Sequence, residues 1–331
     1  MAQRINSIDS LRYIAIFFVI LIHCFPASGT LKFVVDELAR FAVPYFFIVS
    51  GFFLGLKLVK TDKNNIYLKF AYHIAKLYLF WTAIYFLNPD MKQIHQIGLI
   101  ASYIYKAKEF FGTGIVNIFS IGISYHFWFF NSLIFTVLFF MIFKLKYLKW
   151  FISISLILYA LGVLGGAYSH TTIGLHFGFN TRQFIFFSSL PFAVGIYIAS
   201  CGLRISDRWA LAIFLSGLAF HFIEGIALGL QMNDYVFSTV LMGIGLFFIA
   251  LNNRTWLNSA WLASLGQLAF GIYAIHVLVA HRLNMIIEHY EKLRPFWFII
   301  YPILVLLIST LVIGVLKKYK ISQKLGISKF V

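Results

Sequence analysis

Two side chains on one apolar stretch could do chemistry together. Arg12 and His23 stand eleven residues apart in DSLRYIAIFFVILIHCFPASG, and RFAVPYFFIVSG follows with Arg40, Pro44, Ser50 and Gly51. An imidazole takes a proton from a hydroxyl near neutral pH. A guanidinium binds phosphate or a developing oxyanion. Both stretches read as membrane-spanning helices, where a charged or titratable group is costly and marks function unless it snorkels to the interface. Arg12, near its helix start, fits either reading. His23 lies one to two turns inside the apolar run.

The rest of the chain has to hold these groups in a membrane. It has 331 residues, 61% of them hydrophobic and 11% charged, with a mean hydropathy of +0.87. Soluble domains carry about 25% charged residues. The expectation is an all-α, polytopic integral membrane protein forming a single domain over 1–331. The first apolar segment runs straight into further spans and lacks a small-residue cleavage site, so it reads as a span rather than a signal peptide. Cys24 and Cys201 fall toward opposite faces and have no metal-ligand spacing.

About ten transmembrane helices are expected, near 11–29, 39–58, 70–88, 126–143, 150–168, 184–201, 209–228, 235–251, 264–281 and 296–316. Gly266 and Gly271 interrupt the ninth. Under this topology one side receives 18 basic residues, from Arg4 to Lys329, against Asp9, Asp62 and Asp207; the other receives nine basic and eight acidic residues. The positive-inside rule then puts both termini in the cytoplasm. It also accounts for the net charge of +16. Basic residues scattered over six segments make no nucleic-acid stripe. The connection 89–125 has the loose apolar spacing of an amphipathic helix lying on the outer interface. The basic C-terminal tail, KKYKISQKLGISKF, is expected to rest on lipid headgroups.

Of ten histidines, only His73 falls on the cytoplasmic side. His23, His126, His221 and His276 lie in or at the ends of spans. His95, His170, His176, His281 and His289 fall in outer loops or at the interface, where imidazole is tolerated. No metal site is expected, since no HExxH or paired-carboxylate spacing occurs, and no GxSxG or Walker loop supports a serine hydrolase or P-loop enzyme. Pro44 removes one helical hydrogen bond, which Ser50 or a neighbour could make good. Gly51 and Gly55 allow close helix approach.

At these residues the chain resembles the acyltransferase-3 family of membrane O-acyltransferases. The first stretch carries its D-x-L-R start and Arg-x10-His spacing, in Asp9, Leu11, Arg12 and His23. The second carries R-x-x-V-P-x-F-F-x-x-S-G, from Arg40 to Gly51. HFWFF looks like the family's H-x-W-F at His126 and Trp128. LGQLAFGIYAIH is similar to LG-x-x-S-x-x-x-Y-x-x-H, with Gly266, Tyr273 and His276 matching and Ala269 where the family has serine. The length looks like the stand-alone branch, such as that acetylating enterobacterial common antigen, without a fused esterase domain.

The resemblance implies a multi-pass protein of the bacterial cytoplasmic (inner) membrane. It implies an acyl-CoA donor, usually acetyl-CoA, bound from the cytoplasm as a substrate and not as a permanent cofactor. The acceptor is a surface polysaccharide or lipid-linked glycan. Eleven helical steps separate Arg12 and His23 by roughly 16 Å, comparable to an extended pantetheine arm. Arg12 would then bind the donor's phosphates and His23 would act as the base. Arg40 would meet the oxyanion or an acceptor phosphate. His126, Trp128, Tyr273 and His276 would line the acceptor chamber, with the membrane's aromatic belt as the other use of Trp128 and Tyr273. The competing function is a transporter or flippase for a lipid-linked glycan, which intramembrane Arg and His would also suit. A third is a membrane scaffold within a polysaccharide-assembly complex, with these polar residues serving packing alone.

Overall fold

Long apolar runs with few breakers make helices, and lipid demands that each helix satisfy its own backbone. A computed structural model describes residues 5–252, 255, 257–287 and 294–319. The described residues contain helices and no strand. In chain order the α-helices are α1 (Asn6–Cys24), α2 (Gly29–Ala39), α3 (Ala42–Leu58), α4 (Asn64–Phe86), α5 (Met91–Ile97), α6 (Leu99–Gly112), α7 (Ile115–Ser120), α8 (Trp128–Phe143), α9 (Leu148–Gly165), α10 (Ser189–Cys201), α11 (Asp207–Ala227), α12 (Thr239–Asn252), α13 (Ala260–Gly266), α14 (Ala269–Ile287) and α15 (Arg294–Lys318).

Six helices among the described residues are long and apolar enough to cross a membrane, and α13 with α14, bent by 61°, would make a seventh. Ten were expected. The apolar helices α10 and α12 have only 13 and 14 residues, short of the about 20 that cross a bilayer. The 23-residue α4 carries Lys69, His73 and Lys76. Leu156, Ile157, Ile223, Leu307 and Leu311 are exposed on α9, α11 and α15, as on helices that face lipid. The tail from 320 onward, with Lys320, Lys324 and Lys329, lies outside the described residues, as do Arg4, Arg254 and His289.

Three local features differ from expectation. The supposed link before 39 is helical: α2 and α3 form one 30-residue run, Gly29–Leu58, with a turn at Arg40 and Phe41. The apolar spacing of KFVVDELARFAV carries the helix through its charges. The second concerns Pro44, which leaves the Arg40 carbonyl without its helical donor; Ser50 donates instead to Phe46 O at 2.8 Å, one turn back. In the third, the ninth segment breaks between Gly266 and Ala269, not at Gly271, which packs inside α14 against Ile313. The connection 89–125 forms α5, α6 and α7, with Leu99, Ile100, Ile104, Ile115 and Val116 exposed. Its Lys106 donates to the carbonyls of Tyr85 (2.5 Å) and Asn88 (2.8 Å), closing the end of α4. Burial there lowers the Lys106 ammonium below its ordinary value.

α3 packs chiefly on α10. Side chains added at Gly51 or Gly195 would run into the facing backbone, at Phe192 and Ile48 respectively. Small residues give membrane helices the close contact that hydrophobicity cannot drive between apolar surfaces. Gly195→Val is expected to lower stability by about 1–3 kcal/mol through overpacking. Gly178→Val, in open space, is the control. Melting of both variants in detergent checks this.

Candidate functional site

α1 is the axis of the site. At its start Arg12 pairs with Asp9 (Nη1 to Oδ1, 3.0 Å) and its guanidinium lies 5.5 Å from the centre of the Phe270 ring. Its Nε is buried without a hydrogen-bond partner. α13 reaches this point because Gly266 has no side chain: a Cβ there would strike the Asp9 carbonyl. The last turn of α1 carries His23.

Around His23 the chain assembles rings from three separate segments. Its imidazole centre is 5.4 Å from that of His276 on α14 and 5.1 Å from the Tyr125 ring. His126 lies 5.1 Å from His276 and 5.5 Å from Tyr273. Hydrogen bonds assign two tautomers. His276 Nδ1 is 2.6 Å from the Tyr273 carbonyl. A carbonyl only accepts, so this nitrogen carries the proton and Nε2 is bare. That Nε2 is buried and unpartnered. His126 Nε2 is 3.3 Å from the Ala274 carbonyl, so its Nδ1 accepts from Ser124 Oγ at 3.0 Å. Tyr85 also donates to Ala274 O (2.9 Å), and Tyr273 donates to the His126 carbonyl. His126, Tyr273 and His276 are thus held, while among the described residues no hydrogen bond holds the partly exposed His23 ring.

Beside the middle of α1 lies a small apolar crevice. Val19, one turn before His23, faces it together with Val43, Phe46 and Phe129; Phe270 closes it toward Arg12 and Tyr273 toward the histidines. Ala269 also lines it, so the departure from the family serine leaves this wall apolar. Its free volume, about 10 Å³, is that of a single water-sized void.

An ion ladder bounds the cluster. Asp36 on α2 pairs with Lys32 at 2.8 Å and Arg40 at 3.2 Å. Lys32 also donates to Ile22 O at 2.7 Å, capping the last turn of α1. Arg40 reaches Asp234 at 3.4 Å, and Arg182 meets the same carboxylate at 3.0 Å. Arg40 and Arg182 both lie within electrostatic range of His23.

The structure therefore brings His23, His126, Tyr273 and His276 together, puts Arg40 at their edge and leaves Arg12 at the far end of α1. Trp128 is only 7% exposed; it stacks on Phe187 at 6.1 Å, with Arg182 5.7 Å from its ring centre. It supports the chamber's edge rather than presenting an open face. His221 sits apart, 3.0 Å from Glu37. Among the described residues no three His, Cys, Asp or Glu side chains are placed to share a metal ion. Lys32, Tyr85, Arg182 and Asp234 escaped sequence reasoning. The spacing of Lys32, Asp36 and Arg40, four apart in KFVVDELAR, was the one legible signal for the ladder.

Asp36→Ala strips a buried partner from both Lys32 and Arg40. It is expected to cost about 3 kcal/mol, with Asp36→Asn costing less, as read by thermal unfolding in detergent.

Comparison with known proteins gives the family. The chain is 25% identical over 352 aligned positions to an amino-acid racemase of Enterococcus faecalis. The alignment takes in 98% of this chain and 48% of that protein, so the chain spans about half the length of the curated relative it matches. No solved structure matches the chain. A family model described as an acyltransferase domain matches residues 5–316, nearly all of the sequence. The chain with this histidine cluster belongs to the acyltransferase-3 family.

Proposed function

We propose that the protein moves an acetyl or other short acyl group from cytoplasmic acyl-CoA to a hydroxyl of a surface polysaccharide or lipid-linked glycan. The observation that carries this reading is the two-ended site on α1. A guanidinium lies at one end, a base with an unheld ring lies at the other, and an apolar crevice lined by Val19, Phe270 and Tyr273 lies between them. The donor's phosphates pair with Arg12 in exchange for Asp9. Its pantetheine arm threads the crevice, which has to widen to admit it. The thioester then reaches His23.

There the acceptor oxygen forms the ester C–O bond as the thioester C–S bond breaks. The hydroxyl proton passes to the His23 imidazole and on to the departing sulfur. The carbonyl oxygen gains negative charge at the tetrahedral stage, beside the Arg40 and Arg182 guanidiniums. His126 and His276, with their donors committed to carbonyls, hold the chamber in shape. The racemase activity named for the longer Enterococcus faecalis relative attaches to that protein, of which this chain matches about half.

The same reading sets the orientation: ten crossings of the bacterial cytoplasmic membrane, both termini in the cytoplasm, Arg12 inside and His23 outside. The short, largely buried helices α10 and α12 would be crossings sheltered by the rest of the bundle, and the more polar α4 would be the remaining crossing.

Two measurements test it. With purified protein and radiolabelled acetyl-CoA, His23→Ala is expected to lower turnover by about 10²–10⁴-fold while coenzyme A binding persists. Arg12→Ala is expected to weaken that binding. Near-normal turnover in His23→Ala would overturn the assignment of the base. For orientation, Cys201 is exposed and Cys24 buried. A membrane-impermeant maleimide is therefore expected to label Cys201 in inside-out vesicles and not in intact cells. The reverse pattern would invert the topology.

A further inference from the structure

A second cavity, of about 260 Å³, opens at the His23 end of the bundle. Its walls are the end of α9 and two loops, 166–188 and 228–238. Gly165 and Gly166 make its floor from bare backbone, because Phe177 and Thr181 fill the space where their side chains would stand. The polar wall is Asn180, Asn233 and Asp234; Asn180 Oδ1 accepts from the Arg182 backbone at 3.0 Å and Asn233 Nδ2 donates to Gln231 O at 3.1 Å, which leaves the second Nδ2 hydrogen of each amide and the Asn233 Oδ1 for a guest. Thr181 and Tyr235 also line it, but their hydroxyls are spent on the carbonyls of Gly162 (2.6 Å) and Thr181 (3.0 Å).

Asp234 is the partition between this cavity and the histidine cluster. On the inner side its carboxylate accepts from Arg182 (3.0 and 3.1 Å) and Arg40 (3.4 Å). On the cavity side Asn180 Nδ2 stands 3.5 Å from Oδ2. Arg182 is itself anchored by the Trp128 ring. A group entering the cavity thus meets one carboxylate and two amides. Behind that carboxylate lie the two guanidiniums that act on His23.

We infer that this cavity is the acceptor subsite and that it takes a single uncharged sugar ring, whose hydroxyls bond Asp234, Asn180 and Asn233. The inference rests on the acyl-transfer reading for the identity of the guest. The volume lies just below the about 300–1,000 Å³ of drug-sized ligand sites, which suits one ring and not an oligosaccharide. The one charged group on the wall is acidic. Hydroxyl donors satisfy a carboxylate, whereas a uronate or phosphate on the same ring would face it at close range and lose the two arginines to it. Asp234 sets the preference because it is the charged group that lines the cavity, with both guanidiniums behind it.

The test uses the full chain in detergent. Binding of the methyl glycosides of glucose, galactose and N-acetylglucosamine is compared with that of methyl glucuronide, by saturation-transfer NMR and equilibrium dialysis. At least one neutral glycoside is expected to bind saturably and at least tenfold more tightly than the glucuronide. Asn233→Ala and Asn180→Ala are each expected to weaken it about tenfold, with coenzyme A binding at the other end of the bundle as the control for folding. Asp234→Asn frees Arg40 and Arg182 and is expected to narrow the difference between neutral and anionic glycosides. No saturable neutral binding, tighter glucuronide binding, or indifference to both asparagine variants would overturn the inference.

The two readings fail separately. His23-dependent acetyl-CoA turnover without glycoside binding would remove this cavity and leave the acyl transfer. Glycoside binding that depends on Asn233 and Asn180 in a protein that never consumes acetyl-CoA would keep the cavity and remove the acyl transfer.

Discussion

Asp36 is 2% exposed and stands between two cations, Lys32 at 2.8 Å and Arg40 at 3.2 Å. A carboxylate buried in an apolar bundle is tolerable only with such partners. Because the partners reach outward, it organises everything at its end of the molecule. Lys32 closes the final carbonyls of α1 and so sets where His23 stands. Arg40 extends to Asp234, and Asp234 to Arg182, tying both loops at that end to the turn between α2 and α3. The ladder has three cations, Lys32, Arg40 and Arg182, and two anions, Asp36 and Asp234.

A second constraint is the shortage of water. Several buried tyrosines donate to carbonyls of other helices or loops: Tyr45 to Ile8 at 2.8 Å, Tyr85 to Ala274 at 2.9 Å, Tyr159 to Val236 at 2.7 Å and Tyr301 to Ala280 at 2.9 Å. Each carbonyl has a second lone pair beyond its backbone bond, so the tyrosine is satisfied without breaking a helix or a turn. Such a bond also sets the axial position of one segment against another. Glycine-lined contacts between α3 and α10 set their separation. The bond from Tyr85 to Ala274 falls between His126 and His276, so the same device that registers the helices also shapes the chamber.

Under the proposed acyl transfer, the crevice and the cavity would divide the labour between donor and acceptor. The crevice is apolar and closed to about one water, as suits an arm that arrives only with the donor and that must not admit bulk water to the thioester. The cavity is open and polar, as suits a hydrated sugar. Asp234, with Arg40 and Arg182 on it, lies on the cavity side, and Tyr273 on the crevice side.

The all-helical, membrane-embedded class follows from the sequence alone, because 61% hydrophobic residues cannot be folded away in one soluble core. Arg12, His23, Arg40, His126, Tyr273 and His276 were legible because polar groups in apolar runs stand out, and because four spaced motifs recur in a known family. Spacing along α1 also separated the two ends, since a helix converts residue count into distance. What sequence could not supply was pairing. That His126 and His276 meet is a matter of how the turn before α8 packs on α14, and that Trp128 lies under Arg182 depends on a loop 54 residues further on. Asp234, in a short polar loop, looks like any surface carboxylate until the fold sets it between Arg40 and Arg182. The short helices α10 and α12, of 13 and 14 residues, and the kink after Gly266 likewise come from close packing, where a glycine's missing side chain matters only because of what lies opposite. Local runs determined the helices and the charges they carry; long-range packing decided which charges would be partners, and with that, where the site could form.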